Sequence, residues 1–558
     1  MPPPAHRPAL VTVARLAMVA AVVSMAGWNA YICLRLRPDL PTTLINLAFW
    51  LVPMAALVAA TGQVWRSLAL GTVITFGLQR LHWLKWRYLE QSWTAADLRF
   101  LVDPANWILL RQYPEIFAWT MAGAATAFLA WLLVPRTPRQ SVRVRGAAAV
   151  VAVALTGATA AWRHQHAFDP FGFNRHGHFA SLVFSWSTLY YEPPVVTGSS
   201  DLFSARAGEV PPVAGVAAAT RPPTIVVWLQ ESSMDLRLFD VAGARLPRLA
   251  MYGPDVFTRA FGALRVHSWG GSTWLSEFAL LTGLSHFDFG PTGEGVYYTV
   301  AGHVRPSLPR LLRTYGYRSV AISGVPKGLY NMETAQRQLG FDEVLNPLDF
   351  PEWGGKSLAD HLISDEELGR YADQIIARAE QPLFLFVLSM MQHGPYDSAS
   401  PLRHGLDRAN LPRGLAARTS DYADRMVATD RATLTFGDRL LGREAPAVFA
   451  YFGDHHPNLD GAIPYAAGVP SPQFQTAYAV KSNLAGAQAT ATAAQPIDVS
   501  FLGALVLEQA GLPLDAHFAA NRAMRHLCGG QLTDCPDAPL VESYRARVYG
   551  DLAAAQPR

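Results

Sequence analysis

The sequence predicts an α-helical membrane domain of about five transmembrane helices, followed by an α/β outer domain. The chain has 558 residues, which is too long for one ordinary domain. Half of it is hydrophobic and only 16% is charged, and the apolar excess lies in the first third. After residue 223, short β-branched runs alternate with helical segments, as in an α/β domain with a mainly parallel sheet. We expect a transmembrane domain over 1–165, an extended linker with little structure over 166–222, and the outer domain over 223–558.

The first third contains five apolar runs, and a helix needs about 20 residues to cross a bilayer. The runs cover residues 9–34, 44–61, 68–78, 116–134 and 147–161. The first is similar to a signal peptide, but further runs follow it, so we expect an uncleaved anchor. The third is the weakest, and it is long enough only if it extends to residue 84.

Basic residues predict the orientation of these runs. Four arginines at positions 136–145 separate the fourth run from the fifth, and such loops stay in the cytoplasm. The chain beyond residue 161 should then lie outside a bacterial cytoplasmic (inner) membrane. The tryptophan-rich segment 79–115 should lie on the outer membrane surface, with a soluble loop as the alternative. A net charge of +3 gives no indication of a nucleic-acid partner.

Polar side chains follow the predicted strands of the outer domain. We predict strands over 224–229, 318–322, 383–388 and 447–452, and helices over 307–315, 365–379, 422–441 and 499–510. Glu231 follows the first strand, His393 the third, and Asp454 and His455 the fourth. Ligands bind beyond the carboxyl ends of such strands, and carboxylate and imidazole groups suit Mn²⁺, Mg²⁺ or Zn²⁺. Taken singly, Glu231 could be a helix cap and the other three turn residues.

A loop-to-helix junction at 265–284 offers a nucleophile. Residues 267–272 form a polar loop, and helical apolar spacing follows it. Gly270 and Gly271 let the backbone approach a ligand, and the free N–H groups of a helix N-terminus attract anions. A hydroxyl of Ser272 or Thr273 could attack phosphorus or sulfur there. The alternative is that either residue is only an N-cap.

With these residues in view, the chain resembles the lipoteichoic acid synthase and phosphoglycerol transferase group, in the sulfatase-like branch of the alkaline phosphatase superfamily. The matching motifs are LQES at 229–232, STWLSEF at 272–278, MQHGPY at 391–396 and GDHH at 453–456. The resemblance covers nearly the whole chain. It implies an outer domain of the α/β sulfatase-like, alkaline-phosphatase type.

The resemblance also implies roles for single residues. In that group a threonine lies four residues before the glutamate of a Glu-Phe pair, which favours Thr273 over Ser272 as the nucleophile. The implied metal ligands are Glu231, Thr273, Asp454 and His455, with Mn²⁺ preferred over Mg²⁺ or Zn²⁺. The implied reaction moves a phospho-alcohol head group from a phospholipid donor, through a phosphothreonine, to a glycan or lipid acceptor.

The head group is left open between phosphoglycerol and phosphoethanolamine. Relatives specific for phosphoglycerol carry a histidine, an aromatic residue and an arginine after the next strand. Here Tyr330 keeps an aromatic residue, but neither histidine nor arginine is present where expected, and Lys327 or Arg337 could supply the positive charge. The substrate-binding residues that we expect are His393, Tyr330, Lys327 and His456.

Two other functions compete with the transferase. One is a hydrolase on the same fold, either a phosphodiesterase or a sulfatase. A sulfatase is disfavoured because no cysteine lies near Ser272 and the context C/S-x-P-x-R is absent there. The other is a non-catalytic envelope scaffold, which the intact set of polar residues disfavours. In an oxidising compartment Cys528 and Cys535 should form a disulfide, with two free thiols as the alternative.

Overall fold

Two units make up the chain, Met1–Leu189 and Tyr190–Arg558. The computed structural model describes residues 40–89, 92–108, 114–133, 138–163, 181–182, 185–211, 221–358, 362–484 and 494–557, with a few isolated residues between 16 and 31. The predicted span 9–34 therefore lies almost wholly outside the described residues.

The first unit is helical over its described residues. Its α-helices are α1 (Leu40–Thr61), α2 (Val64–Leu89), α3 (Ala96–Val102), α4 (Pro114–Leu133) and α5 (Val142–Arg163). The predicted runs 44–61, 68–78 and 147–161 lie within α1, α2 and α5, and the run 116–134 lies within α4 as far as residue 133, where the described residues end. Residues 79–89 continue α2, so they do not begin a separate surface segment as we had expected.

One helix in the described part of the chain is long and apolar enough to cross a membrane, over Val142–Thr159, and shorter apolar stretches occupy Leu51–Thr61 and Phe117–Leu129. The structure thus gives one candidate span where the sequence predicts five. The helix α2 differs most from the apolar span that we predicted, because it carries buried polar side chains, among them Gln79 and His82. Such groups lower its mean hydropathy and need polar partners.

The second unit contains one mixed sheet of eight strands among the described residues, in the order β4-β3-β5-β1-β6-β7-β2-β8. The strands are β1 (Thr224–Gln230), β2 (Thr258–Arg265), β3 (Arg318–Ser323), β4 (Glu343–Leu345), β5 (Leu383–Ser389), β6 (Ala447–Gly453), β7 (Gln475–Ser482) and β8 (Ile497–Asp498). From β4 to β6 all neighbours are parallel, whereas β7 runs antiparallel to β6 and β2. The four predicted strands are the central parallel ones, and the antiparallel edge was not predicted.

Helices cover both faces of this sheet. They are α6 (Asp201–Ala207), α7 (Thr273–Thr282), α8 (Val296–Thr299), α9 (Leu308–Thr314), α10 (Met332–Gln338), α11 (Asp365–Ala377), α12 (Arg413–Leu441), α13 (Leu502–Gln509), α14 (Ala516–Leu527) and α15 (Ala538–Arg545). Along β1, Ile225 and Val227 enter the core with α7 and α13, while Val226 and Trp228 enter the core with α11 and α12. This alternation explains why β1 is apolar at five consecutive positions, from Ile225 to Leu229, as strands buried on both faces are.

Residues 190–207, which we call the strap, pack against the end of the chain. The Tyr191 ring stacks on His303 with centroids 4.0 Å apart. Phe203 is buried, and its backbone N–H donates to Ser543 Oγ at 3.0 Å. Part of the predicted linker is therefore folded, including the helix α6.

A disulfide joins Cys528 and Cys535, which confirms the predicted pairing. It closes the loop that follows α14. Such a short loop restricts the unfolded chain only modestly.

Candidate active site

The helix α7 begins at the end of the glycine-bearing loop. Ser272 stands before it with a left-handed backbone, φ 68°, and its side chain makes no capping hydrogen bond. The N-cap explanation therefore fails for Ser272. Thr273 is the first helical residue, so its hydroxyl lies among the free N–H groups of the helix N-terminus.

Two carboxylates and an imidazole converge beside Thr273. The ligand atoms of Glu231, Asp454 and His455 lie within 4.8 Å of one another, and all three side chains are buried. His455 Nε2 is 3.1 Å from Glu231 Oε1 and 3.2 Å from Asp454 Oδ2. Thr273 Oγ1 lies 3.4 Å from the same nitrogen. We call these four residues the metal cluster.

The chemistry of the metal cluster fits a divalent cation. Glu231 Oε2 and Asp454 Oδ2 are buried and have no hydrogen-bond partner. Two such oxygens without a hydrogen bond in one site indicate a ligand, because burying a carboxylate oxygen that accepts no hydrogen bond is costly. Carboxylate oxygens, a hydroxyl and an imidazole nitrogen match the ligand preferences of Mn²⁺, Mg²⁺ and Zn²⁺.

Neighbouring groups orient these ligands. Asp454 Oδ1 accepts hydrogen bonds from the backbone N–H groups of Ser232, at 2.8 Å, and His455, at 2.9 Å. His455 Nδ1 donates to the carbonyl of His456 at 2.9 Å, which leaves Nε2 free to act as a ligand. Gly453 is required at the end of β6, because a Cβ there would lie 1.8 Å from the Ser233 carbonyl oxygen.

Mutual electrostatics shift the pKa values of the cluster. Burial lowers the pKa of His455, but Asp454 and Glu231 outweigh it and raise that pKa to about 9. Burial raises the pKa of Glu231, but His393 and His455 overcome this and lower it overall. Burial, with Glu231 nearby, raises the pKa of Asp454. In the absence of a metal, the imidazole thus takes the place of a cation between the two carboxylates.

Non-glycine residues with left-handed backbones surround the cluster. Ser232 has φ 54°, Ser272 has φ 68° and Tyr330 has φ 55°. Each such residue costs about 1–2 kcal/mol. Their number around one group of side chains indicates a backbone held in place for a function.

His393 lies at the rim of the cluster. Its Nε2 is 3.8 Å from Glu231 Oε1, and its side chain is 21% exposed. Arg425 Nη1 donates to the His393 carbonyl at 2.6 Å, and Arg425 also pairs with Asp421 at 2.8 Å. The imidazole can therefore meet a substrate that enters from solvent.

The other predicted substrate-binding residues are more scattered. The Tyr330 ring lies 5.0 Å from that of Trp274, the residue after Thr273. Lys327 Nζ is paired with Asp349 at 2.9 Å. Both ring nitrogens of His456 are engaged, Nδ1 with Tyr465 OH at 3.0 Å and Nε2 with the Gln475 carbonyl at 2.7 Å. The structure brings Tyr330 to the residue beside the nucleophile, but it holds Lys327 and His456 in other contacts.

Several supporting residues had no signal in the sequence analysis. Ser276 Oγ donates to the Asp454 carbonyl at 2.7 Å, and Tyr422 OH donates to the Ser232 carbonyl at 2.7 Å. Ser276 is within the STWLSEF motif, one turn after Thr273, so helical spacing could have indicated it. Tyr422 comes from a distant helix, and only the tertiary structure reveals it.

The chain is similar to several known proteins. A family model described as Sulfatase matches residues 226–512. An uncharacterized protein of Haemophilus influenzae is 31% identical over 514 residues, which is 89% of this chain and 92% of that protein. A putative cyclic beta-1,2-glucan modification protein of Rhizobium meliloti is 26% identical over 52% of this chain and 46% of that protein.

Among solved structures, the Streptococcus pyogenes phosphoglycerol transferase GacH, in complex with sn-glycerol-1-phosphate, matches with a TM-score of 0.47. The two are 18% identical, and the match covers 64% of this chain and 95% of that one.

Proposed function

The chain belongs to the sulfatase family, and from this premise we propose that it is a membrane-anchored, metal-dependent phosphotransferase. It moves a phospho-alcohol head group from a phospholipid to a hydroxyl group of an envelope glycan or lipid. The observation that carries the proposal is the position of Thr273 Oγ1, 3.4 Å from His455 Nε2, at the start of a helix.

The reaction has two displacement steps. In the first, the Thr273 oxygen attacks the phosphorus of the lipid, the bond to the diacylglycerol oxygen breaks, and diacylglycerol leaves. The threonine then carries the head group as a phosphodiester. In the second, an acceptor hydroxyl attacks that phosphorus and the threonine oxygen leaves, which regenerates the enzyme.

Each residue of the cluster has a role in this scheme. Glu231, Asp454, His455 and Thr273 would hold the divalent ion, which supplies a lower pKa for the threonine hydroxyl and neutralises charge on the phosphoryl group. The N–H groups at the start of α7 face the phosphate oxygens. His393, at the exposed rim, binds the substrate and holds or returns the proton of the leaving or attacking oxygen.

The acceptor and the anchor are parts of the same proposal. The name of the Rhizobium meliloti relative, a putative glucan modification protein, supports a glycan acceptor. Apolar helices in the first unit support a phospholipid donor, because such helices would keep the enzyme at a bilayer. We propose about five spans, with the sheet-bearing unit outside the bacterial cytoplasmic membrane. Phosphoglycerol and phosphoethanolamine remain the two candidate head groups.

The test incubates the full-length protein with Mn²⁺ and defined phospholipids. Mass spectrometry of the peptide containing Thr273 should show an adduct whose mass identifies the head group, with release of diacylglycerol. Thr273→Ala should give neither, while Thr273→Ser should keep part of both.

Other outcomes would favour other functions. Release of sulfate from aryl sulfates, with phospholipids left intact, would instead support the sulfatase. Unchanged diacylglycerol release by Thr273→Ala would refute the nucleophile.

A further inference from the structure

The first unit contains a cation that the residues around it do not neutralise. Arg80 lies on α2, and its side chain is partly exposed. Its Nε is buried without a hydrogen-bond partner, and within the described part of the chain its guanidinium forms no ion pair. An arginine keeps its charge in proteins, and a charge within a bilayer is costly unless a partner compensates it. A group from outside the protein is therefore a candidate for that partner.

The acidic side chains of this unit have other partners. At the same end of α2, Lys85 pairs with Asp97 at 2.8 Å and Arg87 pairs with Glu115 at 3.0 Å. Asp103, the third acidic side chain described in the unit, accepts a backbone N–H two residues further on. No acidic group among the described residues of this unit is therefore paired with the arginine.

Three aromatic rings from different parts of the chain contact the guanidinium. Arg80 Cζ lies 5.0 Å from the ring centroid of Phe76, 5.1 Å from that of Trp119 and 5.5 Å from that of Trp28. Such contacts use the faces of the rings, whereas the N–H groups of a guanidinium point outward in its own plane. Trp28 and Trp119 are each 41% exposed, so a ligand can reach this group from the surface.

The position of these residues fits the outer membrane surface. In the proposed topology the loop 136–145 is cytoplasmic, so α4 begins on the outer side, at Pro114. Trp119 is in the second turn of α4, and tryptophan rings concentrate at the membrane–water interface. Lys85 and Arg87 follow on α2 toward the same side. The phosphate groups of the outer leaflet lie at this level.

We propose, on the basis of the membrane placement in the proposed function, that Arg80 and its three rings bind the phosphate group of an outer-leaflet phospholipid. We call these four residues the arginine site. A guanidinium can donate two parallel N–H groups to two phosphate oxygens, which is a strong and directional contact. The phosphate supplies the negative charge that the described residues of the unit do not supply.

The inference deepens the proposed reaction, because the bound lipid is of the class that serves as donor. A lipid held at the arginine site raises the local concentration of that donor at the enzyme. The contact is to the phosphate, which phosphoglycerol and phosphoethanolamine lipids share. The arginine site therefore retains either lipid and leaves the choice of head group to the active site.

The test measures lipid binding to the full-length protein in detergent, with divalent ions removed by a chelator so that no donor is consumed. Native mass spectrometry counts bound lipid during titration with phosphatidylglycerol, with diacylglycerol and inorganic phosphate in parallel. Phosphatidylglycerol should bind with a saturating curve, whereas diacylglycerol, which lacks the phosphate, should bind at least about tenfold more weakly. Arg80→Gln should weaken phosphatidylglycerol binding by about tenfold or more, because it removes a charge-assisted contact.

Arg87→Gln is the matched control, since this arginine is on the same helix and is already paired with Glu115. It should keep the wild-type affinity, and Arg80→Lys, which keeps the charge but not the planar group, should retain part of it. Equal affinity of Arg80→Gln and wild type would overturn the proposal. So would equal binding of diacylglycerol, or inorganic phosphate that competes as well as the lipid does.

If Arg80→Gln does not fold, the comparison of phosphatidylglycerol with diacylglycerol in the wild-type protein decides. The measurement requires no turnover. Failure of diacylglycerol release in the enzymatic test would therefore contradict the proposed function alone, and loss of phosphate-dependent lipid binding would contradict the arginine site alone.

Discussion

Two buried groups of the second unit each combine a histidine with carboxylate, and they differ in one respect. In the metal cluster, Glu231 Oε2 and Asp454 Oδ2 have no hydrogen-bond partner. In the second group, which we call the closed pair, His267 Nε2 is 3.0 Å from Asp498 Oδ1 and 3.2 Å from Oδ2. Both groups are fully buried, so burial does not distinguish them.

The closed pair leaves no carboxylate oxygen unsatisfied. The Ser500 backbone N–H donates to Asp498 Oδ1 at 3.0 Å, and the Thr533 hydroxyl donates to Oδ2 at 2.8 Å. Burial raises the pKa of Asp498, but His267 and these hydrogen bonds outweigh it and hold that pKa well below its usual range. The difference teaches that buried carboxylate oxygens without hydrogen bonds indicate a binding site, whereas a saturated carboxylate stabilises the fold.

The largest predicted effect concerns the metal cluster. Asp454→Asn keeps the shape of the side chain but removes one charged ligand, and metal affinity should fall by more than about 100-fold, since changing residues that only support ligands costs 10–100-fold. Diacylglycerol release should be lost with the metal. The metal content after dialysis and the rate of turnover test this prediction. Full metal occupancy in Asp454→Asn would contradict the contrast between the metal cluster and the closed pair.

A substitution in the closed pair should lower stability and leave metal binding unchanged. Asp498→Asn leaves His267 without its buried partner and should lower the free energy of unfolding by about 3 kcal/mol. Metal content should stay at the wild-type level. Denaturant titration and metal analysis of the same sample test both statements, and loss of the metal would show that the two groups are not independent.

A smaller effect is predicted for the disulfide between Cys528 and Cys535. Its loop carries Thr533, whose hydroxyl donates to Asp498 of the closed pair. Replacing Cys528 and Cys535 together by serine should lower the free energy of unfolding by about 2 kcal/mol and leave metal binding unchanged. In the unreduced folded protein neither cysteine should react with a thiol reagent. Labelling of both would contradict the pairing.

The smallest predicted effect is a pH dependence. The folded pKa of Asp498 is lowered, so its stabilising contribution is present above the unfolded value of about 3.9 and is lost as the pH falls through the folded pKa. Between pH 5 and pH 8, the loss of unfolding free energy caused by Asp498→Asn should therefore vary by less than about 0.5 kcal/mol. Denaturant titrations at several pH values measure it, and a cost that disappears already at pH 5 would contradict the assigned shift.

The central strands were predictable because each contains an uninterrupted apolar run, such as VAI in β3 and LFLFVL in β5. The strands β2 and β7 were not predicted, because their apolar residues are interrupted by charged or small ones, as in TRAFGALR. Gly262 in β2 illustrates the reason: a Cβ there would lie 2.6 Å from the Gln495 carbonyl oxygen, a requirement set by tertiary structure. The strands β4 and β8, of three and two residues, are too short to give a pattern.

The site was predictable to the extent that its residues follow strands or begin a helix. Glu231, Asp454 and Thr273 satisfied that rule, and the resemblance to a family joined them into one set. Neither source indicated Tyr422, whose hydroxyl donates to the Ser232 carbonyl, because this residue comes from the interior of α12. Sequence periodicity predicts which residues share a helix face, but it does not predict which strand end that face will meet.

The strap also bears on what happens when the chain is cut. Its contacts, such as Phe203 with Ser543 and Ser200 with Asp551, join it to the last helices. A single protease cut between Pro211 and Arg221 would therefore yield two fragments that stay associated on a gel-filtration column and separate only in denaturant. The strap would behave as a non-covalent subunit of the domain that it precedes.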